Sequence, residues 1–230
     1  PGLSLTFDDI LIINTGLTLF GEENRQGRNN MSFGKRSRLI DHKREHQLEG
    51  LVTLIGVRAT TARGMAEKAV DIIIDKLGKK TPKSKTEVTP IYGGDIGSFE
   101  DFSRDAIKNS PSALNTRKKR ALVHNYGSQY QQVLKYVKEN PTWIESVGES
   151  TVLKVEVIHA IREEMAQKLA DVVYRRTDLA TGEYPGNDAV ETCAHLMSTE
   201  MGWDDDKLNM ELEEVKRTFP FNNQQIKMRE

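Results

Sequence analysis

The chain has 230 residues, enough for one large domain or two ordinary ones with a real buried core. Its 37% hydrophobic and 29% charged residues fit a globular protein and exclude wholesale disorder. The 33 basic and 34 acidic residues nearly cancel, so no overall field favours nucleic acid or an anionic membrane. The lone cysteine, Cys193, excludes an internal disulfide and fits a reducing cytosol. No apolar run approaches the roughly 18 residues of a spanning helix, and no signal peptide opens the chain. Beginning at Pro1, the chain reads as a piece of a longer polypeptide.

The first fifty-odd residues read as strand-rich. "LSLTFDD" alternates apolar and polar positions, and "DILIIN" is a short apolar run that ends at Thr15-Gly16. Residues 21–38 are rich in Gly, Asn and Arg and read as a long loop. A turn and a strand from Leu51 to Ile55 follow, and then a helix that Thr60 or Thr61 can cap with its hydroxyl. Met65, Ala69, Ile73 and Leu77, with Ala66, Val70 and Ile74, give that helix one apolar face, and Gly78 stops it. Residues 79–90 are rich in Lys, Thr and Pro without apolar period and read as a linker.

Beyond the linker the spacing predicts helices near 99–108, 112–125, 128–139, 154–177, 187–201 and 205–217. Ser128 caps the third, and Pro141 closes it. In the fourth, Ile158, Ile161, Met165, Leu169 and Val172 share a face, with Glu164–Lys168 and Asp171–Arg175 as surface pairs. The expected fold class is therefore α+β. A β-rich part (1–78) of a flavin- and substrate-type domain precedes a linker (79–90) and an all-α domain (91–230).

The stretch "LVTLIGVRATTARGMAEKAVD" carries the most chemistry. A strand meets a helix through Gly56, Arg58, Thr60 and Thr61. Unpaired amides and a partial positive charge at a helix start attract phosphates, carboxylates or an electron-rich ring. An ordinary, well-capped strand-to-helix connection explains the same letters. Lys35, Arg36, Arg38, Lys43 and Arg44 form a local basic cluster in which an arginine could grip a phosphate, although Asp41 and Glu45 interrupt it. Arg117 to Arg120 read as the wet face of a helix, and without interleaved aromatics they argue against nucleic acid. The five histidines show no metal spacing: His42 and His46 lack the glutamate of HExxH, so no metal site is expected. Cys193 reads as a small buried hydrophobe.

Three stretches are similar to the C-terminal portion of FAD-dependent glycerol-3-phosphate dehydrogenases of the respiratory type and the related oxidases. "LEGLVTLIGVRATTARGMAEKAVD" resembles the segment where a strand ends in Gly-Gly-Lys and runs through Thr-Thr into "MAEDAVD". "EVIHAIREEMAQKLADVVYRRTDLA" resembles the family's "REEMA…L.D.L.RRT" helix, and "AHLMSTEMGWDDDKLNMELEEVK" its closing helices around "LGWD". "IYGGDIGSFEDF" and "VHNYGSQYQQVL" fall where its "LPGG" and "YG" segments would. The resemblance implies that Gly56, Arg58, Thr60 and Thr61 line FAD, and that Arg36 and Arg58 bind the substrate phosphate. It implies oxidation of glycerol 3-phosphate to dihydroxyacetone phosphate, hydride transfer to the flavin, and quinone or oxygen as acceptor.

The chain departs from the family pattern at three places. Val57 stands for the second glycine, Arg58 for the lysine, and Thr18 where a second phosphate-binding arginine is expected. No glycine-rich dinucleotide loop occurs, so the FAD site in this chain is incomplete and the N-terminal dinucleotide-binding half is an expected partner. The catalytic base is not identifiable. A cytoplasmic location, with peripheral contact to the inner face of the cell membrane, is the expectation. The alternative is a non-catalytic helical interaction or regulatory module that keeps only a remnant of the flavin site, as Val57 and Thr18 suggest.

Overall fold

The computed structural model describes residues 2–6, 9–10, 37–56, 58–80 and 82–219. By their contacts these divide into two compact units, one within Asn14–Pro90 and the other within Pro1–Ile13 and Ile91–Glu230.

The first unit is a two-stranded antiparallel sheet backed by a helix. Strand β1 (Arg38–Asp41) pairs with β2 (Val52–Ile55), so that Arg38 lies opposite Ile55 and Asp41 opposite Val52. Between them runs a five-residue helix, α1 (His42–His46), started by the Asp41 carboxylate, which accepts the Lys43 amide. The described members of the local basic cluster, Arg38, Lys43 and Arg44, thus lie on a strand and a helical turn. Helix α2 (Ala62–Lys76) follows β2 and ends in a Schellman motif. Gly78 has φ 63°, its amide donates to the Asp75 carbonyl, and the Lys79 amide reaches the Ile74 carbonyl. Lys76 anchors this end: its ammonium lies 2.8 Å from Asp41 and 3.0 Å from Glu49. The hydrogen bond from Lys76 holds the Asp41 carboxyl below its ordinary range.

The apolar face expected of α2 is only partly buried. Ala69 is buried, and Met65 and Ile72 are half-buried, whereas Ala66, Val70, Ile73 and Leu77 are exposed. A two-stranded sheet is too narrow to cover both apolar rows. Leu3–Thr6 form no strand either, and Leu3 and Leu5 are exposed. The chain turns there, with the Thr6 amide and hydroxyl donating to Asp9. Alternation alone supplies no partner edge. The run 11–14 and the long loop up to residue 36 lie outside the described residues.

The second unit is helical: α3 (Phe99–Asn109), α4 (Thr116–Tyr126), α5 (Tyr130–Leu134), α6 (Lys154–Glu163), α7 (Leu169–Asp171), α8 (Asn187–Met201) and α9 (Asp205–Thr218). Side-chain caps start three of them: Ser98, Asn115 and Asp204 accept the amides of Asp101, Lys118 and Lys207. Asn115 sets the start of α4, four residues later than the spacing suggests. Ser128 does not cap α5. It lies within a 3₁₀ turn (Gly127–Gln129), and its buried hydroxyl has no partner.

Helix α6 is the axis of this unit. Residues 155–160 are all buried, because one side packs with α7, α8 and α9 through Val157 and Ala160. The other side packs with α3, α4 and α5 through Val155 and Ile158. The single helix expected over 154–177 is in fact broken. Met165 takes φ 56° and is exposed, so it does not share the apolar face. Asp171 then accepts the amides of Gln167 and Lys168, while Glu211 of α9 accepts that of Leu169. Three amides captured by two carboxylates make a fresh helix start, which continues as a π turn (Val172–Arg176). Glu164 and Lys168 consequently do not pair, because Lys168 bonds Glu214; Asp171 and Arg175 do pair, at 3.1 Å.

Two glycines fix the entry to the helical unit. Gly93 (φ 79°) and Gly127 (φ 51°) meet back to back, and a Cβ on Gly93 would stand 2.6 Å from the Tyr126 carbonyl oxygen. The Ser128 amide donates to the Gly93 carbonyl across this contact, at 3.0 Å.

Candidate functional site

Strand β2 ends at Ile55, and the backbone turns at Gly56 with φ 68°, a conformation that favours glycine. The Ser37 hydroxyl donates to the Gly56 carbonyl at 3.2 Å, tying the start of β1 to this turn. Arg58, in extended conformation, leads into a 3₁₀ turn (Ala59–Thr61) that runs directly into α2. Gly56, Arg58, Thr60 and Thr61 therefore lie on one short, exposed connector. Val57 and Arg36 lie outside the described residues.

The threonine cap is not made as expected. Thr61 occupies the N-cap position of α2, but its hydroxyl turns back to the Arg58 carbonyl at 3.3 Å, and its amide does the same at 3.0 Å. No side chain caps the first turn of α2. The amides of Thr61 and Ala62 are taken by the Arg58 and Ala59 carbonyls, so the 3₁₀ turn leads the helix start, next to Arg58 and with Arg38 on the paired strand. The sheet register sets Arg38 opposite Ile55, the residue before Gly56, and no local sequence signal marks that position. Such a connector suits the edge of an anionic or electron-rich group. It provides one wall of a site rather than an enclosure. Nearby, Lys43 pairs with Glu49, and Arg63 with Glu67 at 3.1 Å. Bonds from Lys43 and Lys76 hold the Glu49 carboxyl down at about 2. Among the described residues no cluster of His, Cys, Asp and Glu could hold a metal ion; His42 bonds the Thr53 hydroxyl at 2.9 Å.

Sequence reasoning missed a buried polar group on α6. Glu156 and His159 are each 1% exposed and lie one helical turn apart. Glu156 Oε1 accepts the Leu153 amide at 2.7 Å. Burial pushes its carboxyl up to about 7, against the opposing pull of that amide and of the Tyr126 hydroxyl. Burial pushes His159 down, and neither ring nitrogen has a hydrogen-bond partner. The edge of Tyr126 packs against its ring at 5.6 Å. Two polar letters inside the apolar run "VEVIHAI" were the available signal. Cys193 is buried, with its thiol pushed up to about 12 by desolvation.

The architecture defines a class first: a helical domain preceded by a small sheet-and-helix unit whose strand-to-helix turn is open. The chain belongs to the family described as the C-terminal domain of alpha-glycerophosphate oxidase, which it matches over residues 84–208. It is 27% identical over 190 residues to a mitochondrial glycerol-3-phosphate dehydrogenase of Arabidopsis thaliana, covering 76% of this chain and 30% of that protein. It is 30% identical over 167 residues to glycerol-3-phosphate dehydrogenase 2 of Mycobacterium tuberculosis, covering 70% of this chain and 28% of the relative. The fold resembles that of a Bacillus halodurans glycerol-3-phosphate dehydrogenase solved with FAD. That likeness has a TM-score of 0.60 at 22% identity, over 74% of this chain and 35% of the other. The chain thus spans about a third of the length of the relatives it matches.

Proposed function

We propose that this chain is the C-terminal part of a flavoprotein that oxidises glycerol 3-phosphate, or a similar polyol phosphate, to dihydroxyacetone phosphate, with quinone or oxygen as final acceptor. The observation that carries this reading is the family match over the whole run of helices from α3 into α9. FAD, when bound, supplies the hydride acceptor. This chain contributes the connector Gly56–Thr61: an exposed glycine turn at Gly56, the 3₁₀ turn that starts α2, and the Arg58 cation beside them. Arg36 and Arg58 are assigned to the substrate phosphate. An N-terminal dinucleotide-binding half completes the site and covers the open apolar row of α2, where Val70 is 51% and Ile73 43% exposed. The enzyme is placed in the cytoplasm, peripheral to the inner face of the cell membrane.

The test is to purify the full-length polypeptide, read its flavin from the visible absorption, and assay acceptor reduction with glycerol 3-phosphate. Arg36→Ala should raise KM by about tenfold or more, since a charged hydrogen bond contributes about 1.5–3 kcal/mol. A flavin-free protein that reduces no acceptor with any polyol phosphate ends the proposal.

A further inference from the structure

A second concavity lies within the helical unit, apart from the Gly56–Thr61 connector. It has a volume of about 580 Å³ and is lined by Asn125 and Tyr126 of α4, Glu164 after α6, and Arg175–Asp178. That volume suits a small molecule. Some of its polar groups are already matched: Arg175 pairs with Asp171, the Asn125 amide donates to Asp178 Oδ2 at 2.7 Å, and the Thr177 hydroxyl donates to the Val172 carbonyl.

The rest have spare capacity. Arg176 donates through Nε to the Glu164 carbonyl at 3.0 Å, which fixes its guanidinium while its terminal nitrogens make no hydrogen bond. The Glu164 carboxylate makes none either, lying 4.0 Å from Arg176 Nε and 3.7 Å from His159 Nε2. Behind it, His159 is nine-tenths buried and unpartnered. The strained backbone of Met165, φ 56°, holds Glu164 at the rim, and strain of this kind in a non-glycine residue persists where the surroundings impose it.

The spare donors lie on the two guanidiniums: the terminal nitrogens of Arg176, whose Nε bond fixes its plane toward Glu164, and the nitrogens of Arg175 other than the one on Asp171. The spare acceptors are the Glu164 carboxylate, the second oxygen of Asp178 and the Asn125 carbonyl oxygen. A ligand that satisfies both sets needs an oxyanionic head for the arginine fork and several hydroxyl donors for the acceptors. We propose that this pocket binds a small polyhydroxylated oxyanion, with its phosphate or carboxylate head on Arg176 and its hydroxyls on Glu164, Asp178 and Asn125. The site needs no flavin and stands apart from the proposed reaction.

The experiment is a titration of the full 230-residue chain, read by the NMR shifts of the Asn125 side-chain amide and the Thr177 backbone amide. Glycerol phosphate is compared with methyl phosphate, and glycerate with acetate, at constant ionic strength. One hydroxylated member should bind saturably and at least about tenfold tighter than its hydroxyl-free partner. The pair that responds tells phosphate from carboxylate. Arg176→Gln should abolish the response, and Arg176→Lys, which keeps charge without the fork, should weaken it. Glu164→Met should erase the preference for hydroxyls. Linear shifts with every salt, equal affinity within both pairs, or unchanged binding in Arg176→Lys would overturn the proposal. Because flavin content and turnover are not read, failure here leaves the dehydrogenase assignment untouched.

Discussion

The sheet-and-helix unit and the helical unit are built from similar letters but packed differently. In the helical unit α6 is enclosed on both sides, and Val155, Val157, Ile158 and Ala160 are fully buried. Among the described residues of the sheet-and-helix unit, Ala69 and Ile40 are the buried apolar side chains, while Val70, Ile73, Leu77, Leu48 and Leu51 are exposed. The first arrangement is a finished core. The second leaves apolar groups in water, and these would gain stabilisation if covered, as the proposed N-terminal half would cover them.

The strongest way to break the contrast is to truncate a residue at its centre. Ile158→Ala in α6 should cost about 2–5 kcal/mol in chemical denaturation, the range for a cavity in a closed core. Next comes the charge buried in that core. The pKa of Glu156 is raised in the fold to about 7, so the folded state binds more protons than the unfolded one between its ordinary range and 7. The stabilisation is complete below the ordinary range and is lost as pH rises through about 7. Wild type should lose stability across that interval by up to about 1.4 kcal/mol per pH unit. Glu156→Gln, which can still accept the Leu153 amide, should flatten the profile.

A smaller effect is expected at the end of α2. Gly78→Ala at φ 63° should cost about 1 kcal/mol, measured as a lower Tm of the first unit. Smallest of all, Ile73→Ser on the open row should change the stability of this chain by under about 0.5 kcal/mol. The same change in the full-length polypeptide should cost more, because the row is covered there. Equal costs in the two would erase the proposed interface.

Local patterns were legible where local physics decides the outcome. The periods of α3, α8 and α9, the β2 strand and the Gly78 stop could be read because caps and spacing suffice there. The break after α6 could not, because it depends on Glu211, some forty residues further on, capturing the Leu169 amide. Strand β1 was hidden in a charged segment because only its partner, β2, defines it. Of the candidate site, the connector was visible as a string of letters, whereas the pairing of Arg38 with Ile55, next to the connector, depends on sheet register. The turn of the Thr61 hydroxyl toward Arg58 reflects a 3₁₀ turn that capping rules alone do not foresee.

The back-to-back contact of Gly93 and Gly127 places a limit on how this protein can be trimmed. Both positions reject a side chain because it would meet main chain, the Tyr126 carbonyl at Gly93 and the Gly93 carbonyl at Gly127, so no side-chain adjustment can make room. A shortened polypeptide starting just after Gly94 would retain every helix from α3 onward. It would nevertheless deprive the Ser128 amide of its acceptor. A version of the helical half that keeps this bond accordingly has to begin at or before Gly93, in a stretch whose described residues form no helix.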